Sequence, residues 1–461
     1  MIGGHIICYR QHFSGLQPQE RQMTEKLFPR GGAGSPQLSH FPPGPRPSKN
    51  LLFHAAIRAI LQAMRGRAWS KRYLRGPAVA GLAGAVCSLL LAACGGASLQ
   101  ELDRVLRRSW QSYTRHYLSP EGRVVVPERG GDTISEAQAY ALLRAVWAGD
   151  ADTFGRVYAW TYAHLSRRQS HGDHLLAWRW GKGEDGAEKI LDANTASDGN
   201  LDYALALLLA ARRGWRPPPG LPGYAAEGAR MQRDMLAKEV VTLPSGETLL
   251  APGNWLEAAP PHLLNPSYFF PSAYRLFQRS SGEAGWGKLL ASVYPALTRL
   301  SQGVGGAPGV GLFPDWVLVD AQGRFDPAPE WEGDYGWEAV RLPWRVALDR
   351  IWFGEKRAAT LLQERFYPFM KQEWQTRGKI LALYRLDGQP LADYESPVLY
   401  AGVLAAALAL EDKDFARQMA EKILSFYHES GERAYFAAPD NYYADNWAWL
   451  GLALYHGWVR P

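Results

Sequence analysis

Three acidic stretches stand where carboxyl chemistry would need them. Glu136 lies in TISEAQAYALLRA (133–145), directly after Ser135 and in front of a long apolar run. Ser135 is a favoured helix N-cap, so Glu136 is predicted at the start of a buried helix, where an acid can face a cleft. The same position suits a plain match to the helix dipole. Asp198 repeats the pattern in NTASDGNLDYALALLLAA (194–211), where capping is again the simpler role. Two acids at the starts of two apolar helices are the arrangement of a paired-carboxylate site, in which one group gives a proton and the other takes one. The third stretch is DYGWEAVRLPWRVALD (334–349). Glu338, Arg341 and Arg345 fall at i, i+3 and i+7, one face of a helix. Trp337, Pro343 and Trp344 interleave with them, which suits a cleft better than a solvated ion-pair ladder. Asp334, four residues before Glu338, would share that face and is the alternative acid of this stretch.

Other chemistries are poorly served. Cys8, Cys87 and Cys94 are the only cysteines of the 461 residues, and the chain beyond them has neither a disulfide framework nor a Cys-based zinc site. No HExxH spacing occurs, so no metal or cofactor is expected. The net charge of +6 is concentrated in the first third. Beyond residue 98 acids and bases are mixed, without the basic stripe of a nucleic-acid partner. The aromatic content stands out, with 18 Trp and 22 Tyr. Such rings suit half-wet surfaces and the apolar faces of sugars, although a large helical core also absorbs many of them.

The elements that must carry these residues are helical. Apolar periodicity predicts helices near 98–115, 135–148, 152–166, 199–213, 224–238, 267–279, 284–301, 335–350, 355–369, 395–410, 412–428 and 442–456. Breakers separate them, among them the PPPG run at 217–220 and GGAPG at 305–309. Strand signals are few and short, at Val124–Val126 and Val317–Val319. Runs such as YALALLLAA and PVLYAGVLAAALAL are apolar all round and belong inside; a following run such as EDKDFARQMAEKI carries charge and belongs outside. Alternating buried and half-exposed helices, twelve in all, predict an all-α (α/α)6 barrel of six inner and six outer helices. An irregular α-solenoid is the alternative, and no fixed-period repeat favours it.

The N-terminal third reads as an address. Residues 64–96 are MRGRAWSKRYLRGPAVAGLAGAVCSLLLAACGG. A basic segment precedes the apolar stretch Pro77–Ala93, which is short for a membrane span and suited to a signal peptide. It ends Leu-Ala-Ala-Cys, which resembles a bacterial lipobox with Cys94 as the lipidated residue. The expected organisation is an extension over 1–63, upstream of a start at Met64, a lipoprotein signal over 64–93, and a catalytic domain over 94–461. The mature protein is then expected on the outer face of a cell membrane, held by a lipid anchor, as a monomer.

Taken together, the three acidic stretches resemble glycoside hydrolase family 8, the bacterial endoglucanases with inverting chemistry on an (α/α)6 barrel. The resemblance runs in order along nearly the whole expected mature chain. The family's acid motif, S-E-G-Q-x-Y-G-M-L, stands here as Ser135 to Leu143 with Ala137 and Ala141 for the glycines. Its A-[ST]-D-[AG]-D signature is Ala196, Ser197, Asp198, Gly199 and Asn200, the last replacing an acid. Its Y-D-A-x-R stretch is Trp337, Glu338, Ala339, Val340 and Arg341, with Glu for Asp. Further familiar patches are LLAWRWG at 175–181, GNW at 253–255, NPSYFFP at 265–271, GLFPDW at 311–316 and NYYADNWAWLGLAL at 441–454. The resemblance implies hydrolysis of a β-1,4-linked polysaccharide, with Glu136 as general acid, Glu338 as base and Asp198 holding the sugar before the cut. It implies Arg341 as an orienting group and Trp178 and Trp255 as sugar platforms, with Tyr140, Tyr335 and Trp447 as further candidates. A neutral β-1,4-glucan is the expected substrate; mixed-linkage glucan, xylan and chitosan are the alternatives within the family. A weakly catalytic polysaccharide-binding lipoprotein is the alternative outside it.

Overall fold

The computed structural model describes residues 98–461. The expectations for 1–63, for the signal over 64–93 and for Cys94 lie outside the described residues. Among the described residues no helix is long and apolar enough to cross a membrane.

The chain runs through α1 (Leu99–His116), α2 (Ser135–Ala148), α3 (Ala151–His164), α4 (Ser197–Arg212), α5 (Tyr224–Lys238), α6 (Pro271–Ser281) and α7 (Ala284–Gln302). It continues through α8 (Leu342–Phe353), α9 (Lys356–Leu361), α10 (Tyr367–Arg377), α11 (Pro397–Ala409), α12 (Lys413–Leu424) and α13 (Tyr442–His456). A π-helical turn at Leu362–Phe366 joins α9 to α10, so the two act as one body.

Burial sorts the helices into two rings. α1 buries Leu102, Val105, Leu106, Trp110 and Tyr113 on one side, the spacing of a helix with a single dry face. The Ser98 hydroxyl accepts from the Glu101 N–H at 3.1 Å, a cap that contributes about 1 kcal/mol. α2, by contrast, is buried at every position from Ala137 to Trp147. α11 is likewise buried from Pro397 to Ala407. Inside, α2 packs on α4, α4 on α6, α6 on α8, α8 on α11, α11 on α13, and α13 back on α2. Outside, α1, α3, α5, α7, α9 and α12 each cover an inner helix. This is an (α/α)6 barrel. The small residues in the inner runs set how closely its helices approach. A Cβ on Gly451 of α13 would lie 2.8 Å from that of Ala401 in α11.

Two small antiparallel sheets line the barrel mouth. β1 (Thr133–Ile134), β2 (Arg179–Lys182) and β3 (Glu188–Asp192) form the first, in that order. β4 (His262–Leu264), β5 (Val317–Val319) and β6 (Phe325–Asp326) form the second, with β5 central. The strand expected at 317–319 is β5; the stretch 124–126 makes only isolated bridges.

Three helix starts differ from expectation. Ser135 is the first residue of α2 rather than its cap, because Ile134 is still paired in β1 and takes the cap position. Asp198 likewise lies inside the first turn of α4. The segment expected as one helix over 335–350 is divided. Tyr335 pairs with Tyr384 in extended backbone, Ala339–Arg341 form a 3₁₀ turn, and α8 opens at Leu342 with Pro343 in its first turn. Pro343 has no N–H to bond back to the preceding turn, so a regular helix starts there. Asp334 therefore does not share a helical face with Glu338.

α2 and α4 meet most tightly at their N-termini. A Cβ on Gly199 would lie 2.4 Å from Ser135 Oγ and 2.9 Å from Glu136 N. Gly199→Ala must separate the two starts, and overpacking of this kind costs about 1–3 kcal/mol. Urea unfolding of the variant is expected to show that loss, and an unchanged midpoint would contradict the packing.

Candidate active site

The strands and helix starts deliver their acids to one place. Ser135 N–H donates to the Trp178 carbonyl at 3.0 Å, which fixes the step from β1 into α2. Three residues on, the buried Gln138 side chain accepts from Val124 N–H at 2.6 Å and donates to Thr161 Oγ1 at 2.7 Å. Glu136 is thereby held half-buried at the mouth. Asp198 is 3% exposed and accepts from its neighbour Gly199 N–H at 2.7 Å. Asp315 anchors the third start. Its Oδ1 accepts from the N–H groups of Gly336, Glu338 and Ala339 at 3.0, 3.2 and 2.7 Å.

Arg341, 1% exposed, joins all three acids. Its Nη1 donates to Glu136 and, at 3.0 Å, to Asp198. Its Nη2 donates to Glu338 Oε2 and, at 2.9 Å, to Ser267 Oγ. Nε bonds the Glu338 carbonyl at 3.2 Å, and the guanidinium lies 5.2 Å from the Tyr268 ring centre. Asn265 Nδ2 also donates to Glu338 Oε2, at 2.9 Å. One turn further along α4 and α8, Asp202 and Arg345 make a second buried pair at 2.7 Å.

Burial sets the protonation. Loss of solvation pushes the Glu136 carboxyl up to about 7; Arg341 opposes the shift and Asp198 adds to it. Asp315 is also raised to about 7, because desolvation outweighs its three N–H donors. Asp202 is raised by burial to about 6. The centre can therefore hold a proton on Glu136 near neutral pH, beside an arginine that keeps the other acids close. That is the set of parts needed to donate one proton and accept another.

Of the residues singled out in the sequence, Glu136, Asp198, Glu338 and Arg341 come together. Asp334 does not; it is half-buried on a separate segment, with Arg385, Glu332 and Asp387 as its charged neighbours. Trp255 is half-buried, runs nearly parallel to Trp331 with ring centres 6.2 Å apart, and donates from Nε1 to the Thr195 carbonyl at 3.2 Å. Trp178 is buried, with the guanidinium groups of Arg129 and Arg179 each 5.9 Å from its ring. Tyr140, Tyr335 and Trp447 are at most 1% exposed and present no face to a sugar. Tyr140 and Trp447 pack edge to face inside the barrel, and Tyr335 packs on Phe366. Trp344 is likewise core rather than cleft, packed on Trp147, Phe270 and Trp447.

Four contributors had no role assigned from sequence. Asn265 and Ser267 hold Glu338 and Arg341, Asp315 pins the turn beneath Glu338, and Tyr443 donates to the Trp337 carbonyl at 2.6 Å. These residues lie in the NPSYFFP, GLFPDW and NYYADNW patches, which mark their segments but not their partners.

The sequence model of Glycosyl hydrolases family 8 matches residues 84–439. An endoglucanase of Salmonella typhi is 30% identical over 239 residues, covering 51% of this chain and 60% of that protein. An endoglucanase of Xanthomonas axonopodis pv. citri is 33% identical over 268 residues, covering 55% of this chain and 63% of that protein. The chain thus spans about 60% of the length of these relatives. The crystal structure of an endo-1,4-D-glucanase from Vibrio fischeri superposes with a TM-score of 0.61 at 24% identity, over 76% of this chain and 94% of that one. That likeness shows the fold.

Removing the shared cation should be costly in a pH-dependent way. Arg341→Met leaves buried carboxylates without a partner, a loss of about 3–5 kcal/mol. Arg341 lowers the Glu136 pKa, so without it that group is raised beyond about 7. A raised carboxyl gives stability that is complete below its unfolded value and lost as pH rises through the folded one. Urea unfolding is therefore expected to show a larger deficit at pH 8 than at pH 5. Equal deficits would contradict the shared-cation reading.

Proposed function

We propose, since the chain belongs to Glycosyl hydrolases family 8, that it is an inverting endo-acting hydrolase of a neutral β-1,4-glucan. The observation that carries the reading is the meeting of Glu136 and Glu338 at the opposite terminal nitrogens of Arg341. Glu136, protonated below about 7, gives its proton to the glycosidic oxygen. Arg341 and Asn265 both engage Glu338 Oε2, which leaves Oε1 to take a proton from the attacking water. A sugar seated between the carboxyl groups, with its water, needs about 6.5–9.5 Å between them. Asp198 holds the sugar before the cut, and Trp255 gives it an apolar wall. The choice of a β-1,4-glucan is supported by the relatives, both of them endoglucanases.

We also propose an envelope lipoprotein, tethered through Cys94. The reading is supported by the apolar stretch Pro77–Ala93 and its Leu-Ala-Ala-Cys ending, which follow a basic segment.

Release of reducing ends from carboxymethylcellulose, lichenan, xylan and chitosan tests the substrate, with carboxymethylcellulose expected to be cut fastest. Glu136→Gln and Glu338→Gln are each expected to lose at least about 100-fold in rate while still binding cello-oligosaccharides by calorimetry. In the wild type, kcat/KM is expected to fall as pH rises through about 7, where Glu136 gives up its proton. A Gln variant that keeps most of its rate overturns the assignment of that residue.

Cys94→Ser is expected to move the protein from the membrane fraction to the soluble one, since stable tethering needs more than one acyl chain. An unchanged membrane fraction would leave Pro77–Ala93 as the anchor instead.

A further inference from the structure

Glu239 has no part in the proton chemistry, yet it is fully buried beneath it. It follows the last turn of α5, the outer helix that covers α4. Its Oε1 accepts from the Thr195 hydroxyl and, at 2.7 Å, from Asn200 Nδ2. Asn200 Oδ1 accepts in turn from Leu176 N–H at 3.0 Å. The amide of Asn200 is thus fully oriented: its NH₂ faces Glu239 and its oxygen faces the backbone two residues before Trp178.

Thr195 extends the contact to the sugar side. Its N–H donates to Asn254 Oδ1 at 2.8 Å, its Oγ1 accepts from Asn254 N–H at 3.1 Å, and its carbonyl accepts from Trp255 Nε1 at 3.2 Å. Ser197 N–H reaches the Pro252 carbonyl at 3.0 Å, and its hydroxyl reaches that of Ala251. Gly253 leaves no slack, since a Cβ there would lie 2.3 Å from the Thr195 carbonyl oxygen. Two segments therefore run together, one leading to Asp198 and the other to Trp255, and Glu239 binds the first at Thr195 and, just past its end in α4, at Asn200.

Resting on the glucanase reading of the site, we propose that Glu239 is a positioning residue. It holds the start of α4, with Asp198, in register with the loop that carries Trp255, so that sugar grip and proton chemistry are set together. Asn200 is its required partner. The amide stands where the resemblance noted above has an acid, and a second carboxylate there would meet Glu239 head on. Burial already pushes the Glu239 carboxyl up to about 7, with Thr195, Asn200 and Arg167 opposing that shift and the Asp198 charge adding to it.

The test is a charge-complement cycle. Asn200→Asp sets acid against acid, and KM for cello-oligosaccharides is expected to rise about 10-fold or more, in line with the sensitivity of such sites to small displacements. Adding Glu239→Gln returns one amide and one acid to the contact in reversed order. KM in the double variant is expected to return to within about threefold of wild type, by the non-additivity of paired sites. Melting temperature is followed in parallel. A contact that only stabilises would shift melting and leave KM of the folded protein alone, and that result overturns the proposal; so does a double variant that regains melting but not KM. Amide hydrogen exchange separates this from the enzymatic reading. Asn200→Asp is expected to speed exchange in both 194–198 and 252–256, and the double variant to slow both, whether or not the wild type cuts a glucan. Exchange that changes in only one segment would show that they are not coupled. Normal coupling in a protein inactive on every glucan would reject the glucanase reading alone.

Discussion

Three carboxyl groups gathered in one buried space repel one another and lose their water, and Arg341 is the group that allows it. The guanidinium suits the task because its donors are spread in a rigid plane and its charge is not given up on burial. Nη1 serves Glu136 and Asp198, while Nη2 serves Glu338. The acids come from the starts of α2 and α4 and from the turn before α8. α6 stands between α4 and α8 in the inner ring, so the ion pair of Arg341 with Asp198 reaches across the barrel interior rather than along a single helix contact. Arg345 and Asp202 repeat that crossing one turn lower at 2.7 Å. Both steps are four residues, 198 to 202 along α4 and 341 to 345 from the 3₁₀ turn into α8, about one helical turn each, which places the second pair beneath the first.

The same enclosure that makes the charges costly also tunes them. Glu136 and Asp315 are held up to about 7 by desolvation despite favourable partners. In Glu136 this keeps a proton available at the mouth. In Asp315 it favours the neutral carboxyl, whose oxygen still accepts from the backbone N–H groups, less strongly than a carboxylate would. Structure and chemistry thus draw on one quantity, the loss of water at the barrel mouth.

The helical architecture was legible because its signal is local. Apolar all-round runs separated by Gly and Pro define the inner helices, and the ends of α2, α5 and α13 fall within a residue of the periodicity. The acids were legible for a similar reason, since each stands beside a helix start. The burial of Tyr140 and Trp447 was not, because a helix that is apolar all round gives no sign of which ring faces the cleft and which faces a neighbour; that of Tyr335 was not, because it follows from a pairing with Tyr384 far along the chain. Nor was the division of 335–350. Its cause is the pairing of Tyr335 with Tyr384 and the hold of Asp315 on three N–H groups, contacts made far along the chain. Asn265 and Ser267 were hidden in the same way, since nothing in NPSYFFP states that its polar groups meet residues more than 70 positions later.

The acid at 338 follows from this long-range frame. Asp315 fixes the backbone at 338 before α8 begins, so the distance from that backbone to Arg341 and Asn265 is set by the barrel and not by the side chain. Glu338 spans it and bonds both through Oε2. An Asp at the same backbone position would be shorter by one methylene and would withdraw from two partners at once, leaving part of the Arg341 charge and the Asn265 amide unmatched inside the protein. An unmade buried hydrogen bond costs more than a made one contributes. The longer acid is therefore fitted to its surroundings here, and the departure from Y-D-A-x-R belongs with Asn265, Asp315 and Arg341 as one constellation.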